Sequence, residues 1–187
     1  MALTWNVMGR VRPAETDSIR VLLVCMGNIC RSPMAEGMLR KHLVDRPLAL
    51  PIEIDSAGTH GYHEGAPPDP RAQAAALRRG VDISALRARQ VIATDFERFD
   101  LVLAMDDDNR SVLVERAGEA FASKVRLLLE FAESPDGRNV PDPYYGGNLG
   151  FERVLDLVEE AMGGLLDELE RMAGNRKSAR DAGQAPG

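Results

Sequence analysis

Only two cysteines, Cys25 and Cys30, occur in this chain of 187 residues. A small secreted scaffold held by disulfides needs more, so a reducing, cytoplasmic setting is expected. Long hydrophobic runs are missing too. No stretch approaches the roughly 20 apolar residues that cross a bilayer, and residues 1–18 lack the apolar centre of a signal peptide. Membrane insertion is therefore not expected. Positive charge is in deficit, with 23 Lys and Arg against 29 Asp and Glu and a formal net charge of -6. That balance speaks against general affinity for nucleic acid or anionic membrane. It does not forbid a small positive pocket. Internal repeats and low-complexity blocks are also absent from the central part of the chain.

What is there reads as one domain with a single core. Residues 1–18 read as a flexible extension, 19–173 as the domain, and the small, polar residues 174–187 as a disordered tail. IRVLLV at 19–24, PIEIDS at 51–56, FDLVLAM at 99–105 and the segment 125–129 read as strands. Helices are expected at 33–44, 71–79 and 107–117, the last two ending at Gly80 and Gly118. The Gly- and Pro-rich segments 57–70 and 134–149 read as loops. Phe151, Val154, Leu155, Val158, Met162, Leu165, Leu166 and Leu169 mark one face of a long amphipathic helix. Gly163 and Gly164 weaken its middle. Strands alternate with helices, so the fold class is α/β, with a parallel twisted sheet and helices on both faces.

The first strand runs into Cys25-Met26-Gly27-Asn28-Ile29-Cys30-Arg31, and Ser32-Pro33 then reads as a helix N-cap followed by proline at the first helical position. A strand, a tight turn and a helix N-terminus together make an anion site, because the first helical amides lack partners and the helix dipole is positive there. Gly27 and Asn28 can both take positive φ, turning successive amides toward one centre. Arg31 offers a fork for two phosphate oxygens. GxxxxGK[ST] is absent and no lysine lies in the loop, so this is not a nucleotide cradle. A cysteine at its entrance points instead to covalent chemistry through a thiolate. By itself, Cys25 could equally be packing. A metal held by Cys25 and Cys30 lacks further ligands nearby.

VLLVCMGNICRSPMAE resembles the signature of the low-molecular-weight protein tyrosine phosphatases, which carry C-x5-R-S after their first strand. DSAGTHGY at 55–62, AMDDDN at 104–109 and PDPYY at 141–145 extend the resemblance over about 19–171. It implies a four-stranded parallel sheet and a single domain. It also implies an enzyme without cofactor or metal, acting on a tyrosine-phosphorylated protein substrate through a phosphocysteine. Met26, Gly27, Asn28, Ile29, Cys30, Arg31 and Ser32 would bind the phosphate. A monomer or weak dimer is expected.

The leaving oxygen needs a proton. Composition leaves many candidates among 29 Asp and Glu; Asp142 stands out between two prolines and beside Tyr144 and Tyr145. The resemblance assigns it as general acid. It also ties Asn28, in a left-handed conformation, to Ser56, and gives Asp106 a structural role near the phosphate loop. Ser32 could donate to the Cys25 thiolate. The resemblance suggests that Cys30 forms a reversible disulfide with Cys25; a small apolar filler is the alternative. Tyr62, Tyr144, Tyr145 and Ile29 are the candidate walls of a pocket for a phenyl ring. Relatives specific for phosphoarginine carry Thr where this chain has Ile29. His60 and His63 read as pocket rim or solvated loop. The competing functions are an arsenate reductase, which lacks a relay cysteine beyond Cys30, a protein-arginine phosphatase, and a non-catalytic phosphate-binding module.

Overall fold

A computed structural model describes residues 18–133 and 138–183. The expected N-terminal extension, apart from Ser18, thus lies outside the described residues.

Strand β1 (Ile19–Cys25) is almost wholly apolar, as a strand covered on both faces must be. It lies between β2 (Ile52–Gly58) and β3 (Leu101–Ala104), with β4 (Val125–Leu127) outside β3. All pairings are parallel, and β1 aligns Leu23 with Ser56 and with Leu103. Successive β1 side chains enter opposite cores. Val21, Leu23 and Cys25 join Met34, Met38, Phe151 and Val158 on one face. Leu22 and Val24 join Phe96, Leu113 and Leu127 on the other. The expected four-stranded parallel sheet with helices on both faces is the one observed.

Helices α1 (Arg31–Asp45), α2 (Pro70–Arg78), α4 (Asp107–Phe121) and α5 (Asn148–Gly183) correspond to expected ones. Within α4 the helical path breaks at Gly118, where φ is 64°. Helix α3 (Ala93–Arg98) has no counterpart among the expected elements. It is short and held at both ends by side chains. Asp95 accepts from the Ile92 amide at 2.9 Å, and Lys124 Nζ donates to the carbonyls of Phe96 at 2.8 Å and Phe99 at 2.9 Å.

Two expectations, the end of the fourth strand and the C-terminal tail, need correction. The fourth strand stops at Leu127, and a 3-10 turn (Leu128–Phe131) follows, tucking Leu128, Leu129 and Phe131 under α5. The glycine pair lies inside a continuous α5, and Gly164 is where the helix meets the Phe131 carbonyl, so that a Cβ there would overlap it. The tail expected to be disordered from Gly174 continues as helix to Gly183. Arg176 anchors this extension by donating to the Ser18 carbonyl and to Asp100 Oδ1.

The strand order turns back between β1 and β3, so the carboxyl ends of these two strands open a crevice. Met105 donates its amide to Val24 O, and Val140 donates to Met105 O, at 3.0 and 2.8 Å. The second bond brings the segment before Asp142 to the crevice. No helix among the described residues is long and apolar enough to cross a membrane.

Candidate active site

The loop from Cys25 to Cys30 joins the end of β1 to the start of α1. The helix begins at Arg31, with Cys30 in the N-cap position and no side-chain capping bond. Ser32 is therefore not the cap expected from the sequence. The cap hydroxyl is displaced because the loop is spent on wrapping the sulfur: Asn28 donates its amide to Cys25 Sγ at 3.3 Å, and Ser32 Oγ lies 3.1 Å from the same atom. Among the described non-glycine residues only Asn28 has positive φ, 57°. Gly27 is not among the positive-φ glycines; there the missing side chain makes room for His63, whose Cδ2 lies 3.0 Å from where a Cβ would be.

Asn28 is buried, and its amide fixes its strained backbone from three sides. Nδ2 donates to Ser32 Oγ at 2.9 Å and to Ser56 Oγ at 3.0 Å, while Oδ1 accepts from the Arg89 amide at 3.0 Å. The last bond decides the amide's orientation, since a backbone N–H can only donate. Ser56 in turn donates to Glu36 Oε2 at 2.6 Å, and Glu36, itself buried, pairs with Arg40 at 2.8 Å. The direction of every bond follows. Ser32 Oγ already accepts from Asn28, so its one proton is left for Cys25 Sγ at 3.1 Å or, more distantly, the Ala57 carbonyl at 3.4 Å.

Arg31 is buried at the other side of the loop. Nη1 donates to Asp106 Oδ2 at 2.5 Å and to Val140 O at 3.0 Å, and Nη2 donates to Asp142 Oδ2 at 3.1 Å. Asp106 also caps α4, its Oδ1 accepting from the Asn109 amide at 2.7 Å. Burial opposes the Arg31 charge, but the Cys25 sulfur, Asp106 and Asp142 outweigh it and hold the guanidinium above its ordinary pKa. Asp142 Oδ1 accepts from the Tyr144 amide at 3.0 Å, so the carboxylate is held by its own turn.

Part of this network faces one cavity of about 330 Å³. Cys25, Ile29 and Arg31 share its surface with Asp142, Tyr62, Tyr144 and Tyr145. Tyr62 is stacked on His60, with ring centroids 5.1 Å apart and planes 7° apart. Tyr144 and Tyr145 meet edge to face. Tyr145 is 95% exposed, which makes it a rim rather than a wall. His63 lines the cavity, in keeping with its reading as rim, while His60 meets it only through its stack on Tyr62. Cys30 also lines it, yet burial first, then Asp69, Cys25 and Asp142, push its thiol up to about 12. Both cysteines are free thiols.

All the residues singled out from the sequence thus gather at one place, with Asn28, Ser32, Ser56 and Asp106 behind the surface. Sequence reasoning missed Glu36, Arg40, Arg89 and the Asp69–Arg71 pair. Glu36 had a local signal, lying one turn after Ser32 on the same helix face. Arg89 and Arg71 reach Asn28 and Gly146 across long stretches of chain, whereas Arg40 pairs with Glu36 and Asp69 with Arg71 locally, pairs whose place beside the site shows only in the fold.

A buried cysteine sulfur that meets the Asn28 amide and the Ser32 hydroxyl at the carboxyl end of a parallel sheet, beside a buried arginine and a carboxylate, places the chain in the class of α/β proteins with a cysteine-centred site. The family profile described as "Low molecular weight phosphotyrosine protein phosphatase" matches residues 20–175. A low molecular weight protein-tyrosine-phosphatase from Streptomyces coelicolor is 47% identical over 150 residues, 79% of this chain and 91% of the relative. The human low molecular weight phosphotyrosine protein phosphatase is 39% identical over 142 residues, 75% of this chain and 89% of the relative. The crystal structure of YfkJ from Bacillus subtilis superposes with a TM-score of 0.77 at 41% identity, covering 82% of this chain and 96% of that one. The chain belongs to the low molecular weight phosphotyrosine protein phosphatase family.

Proposed function

We propose that this enzyme hydrolyses phosphotyrosine on protein substrates, with Cys25 as nucleophile, Arg31 as phosphate ligand and Asp142 as general acid and base. The observation that carries the proposal is the convergence of Cys25 Sγ, the Arg31 fork and the Asp142 carboxylate on one cavity edged by tyrosines. The Cys25 sulfur attacks phosphorus and forms an S–P bond. The P–O bond to the tyrosine breaks, its electron pair goes to the phenolic oxygen, and Asp142 protonates that oxygen. Water then attacks phosphorus, gives a proton to Asp142, and the S–P electron pair returns to sulfur as phosphate forms.

Arg31 and the loop amides hold the equatorial oxygens through both steps. Arg31 is prepared for this. Asp106 and the Val140 carbonyl fix Nη1, leaving Nη2 shared with Asp142. A phosphate that takes up Nη2 releases the Asp142 carboxyl toward the leaving oxygen. Ser32, its lone pair engaged by Asn28, donates its proton toward the sulfur and stabilises the thiolate as it leaves phosphorus. Ile29, apolar and on the cavity surface, favours a phenyl ring over a guanidinium. The aromatic edge from Tyr62 and Tyr144 serves the same ring.

Peptides carrying phosphotyrosine, phosphoserine or phosphoarginine, presented to wild type and Cys25→Ser, test the proposal. The expected result is turnover of phosphotyrosine alone, abolished in the variant. Preferred turnover of phosphoarginine, or turnover that survives Cys25→Ser, overturns it.

A further inference from the structure

We propose that Arg71 is a positioning residue that couples the phosphate loop to the Asp142 loop, resting on the assignment of Asp142 as general acid. Arg71 lies in the first turn of α2, next to neither Cys25 nor Asp142 in sequence. Its guanidinium forms a two-point pair with Asp69: Nε donates to Oδ1 at 3.0 Å and Nη2 to Oδ2 at 2.8 Å. Asp69 is tied to the phosphate loop, its amide donating to the Ile29 carbonyl at 2.8 Å. The opposite end of the guanidinium faces the acid loop. It lies 5.6 Å from the Tyr144 ring centroid and 4.8 Å from that of Phe151, and Nη1 reaches the Gly146 carbonyl at 3.5 Å.

These contacts bracket the segment that carries Asp142. Its amino-terminal side is pinned to β3 through Val140. Its carboxyl-terminal side folds back on itself, Gly146 donating to the Pro143 carbonyl at 3.0 Å, and then enters α5 at Asn148. Arg71 is the cation over this second half. Phe151 is fully buried, so one of the two rings under the guanidinium is a fixed point of the core. A planar, always-charged fork can make both kinds of contact at once, stacking a face on aromatic rings while its edge binds a carboxylate. Asp69 holds the Arg71 pKa above its ordinary value, and Arg71 holds that of Asp69 below its own, so the pair stays charged. Losing the fork leaves the sulfur, the phosphate loop and Arg31 in place but lets Tyr144, and with it the Asp142 turn, drift. A general acid supplies about 10²–10⁴ in rate, and small misplacement forfeits part of it.

The test compares phenyl phosphate, whose leaving group needs a proton, with p-nitrophenyl phosphate, whose leaving group needs it less. Arg71→Met should lower kcat/KM on phenyl phosphate, which reports the step that expels the leaving group, about tenfold. On p-nitrophenyl phosphate the loss in kcat/KM should be less than about twofold. In an Asp142→Asn background the same substitution should add almost nothing, because the acid it positions is gone. Arg71→Lys keeps the charge and stem but not the fork, and should show the same split; it carries the test if Arg71→Met fails to fold. Equal losses on both substrates, no loss, or losses fully additive with Asp142→Asn overturn the proposal while leaving the phosphatase reading intact. An inactive wild type removes both.

Discussion

At the scale of single residues, Asn28 holds the phosphate loop through three side-chain hydrogen bonds. Its left-handed backbone is held by bonds to Ser32, Ser56 and the Arg89 amide. Asn28→Ala removes three buried hydrogen bonds of about 1 kcal/mol each. It also leaves a side chain ill suited to positive φ. Thermal unfolding should show a fall of about 6–12 °C for a chain of this size, and turnover should drop although Cys25 is untouched. Cys30 makes a prediction of another kind. Its thiol, ordinarily at 9.0, is raised to about 12 by burial. A raised acid pKa means that the folded state holds the proton more tightly than the unfolded one. The contribution to stability is present in full below pH 9.0 and is lost as pH climbs toward about 12. Denaturant midpoints measured across that range should fall more steeply for wild type than for Cys30→Ala; parallel curves would contradict the assignment.

At the scale of elements, the glycine pair in α5 separates propensity from packing. Gly163 has open space around its missing Cβ, whereas a Cβ on Gly164 would overlap the Phe131 carbonyl. Gly163→Ala should stabilise by about 0.5–1 kcal/mol through helix propensity. Gly164→Ala should destabilise by about 1–3 kcal/mol by pushing α5 off the 3-10 turn beneath it. Denaturant unfolding of the two variants checks the opposite signs. The same helix shows where local reasoning ends. Polar residues after Gly174 read as a disordered tail, because the partners of Arg176, Ser18 and Asp100, lie far away in sequence. Ser32 departs from expectation for a related reason. The rule for helix caps expects a serine to serve the first amides, and here the serine serves a sulfur that sits seven positions earlier. By contrast β1, α1 and the apolar face of α5 are legible, since their periodicity is written in adjacent residues.

At the scale of the whole molecule, the sheet order makes the site. β1 delivers Cys25, the start of α1 delivers Arg31, the turn from β3 into α4 delivers Asp106, and the segment pinned beside that turn delivers Asp142. The sequence motifs name these residues but not the contacts that bind them, which cross 75 and 111 positions of chain from Arg31. Arg89 and Arg71 are hidden for that reason, reaching Asn28 and Gly146 across 61 and 75 positions, while Glu36 and Arg40 pair locally and join the loop only through Ser56. The central claim is that the Cys25 sulfur takes the phosphoryl group from phosphotyrosine. Rapid acid quench of Asp142→Asn during turnover of a phosphotyrosine peptide, followed by mass analysis of the digested protein, tests it most directly. The account predicts one phosphoryl group on the peptide that carries Cys25 and none on the Cys25→Ser control; an unmodified Cys25 peptide with phosphate released at a steady rate, or a phosphoryl group on any other residue, would contradict it.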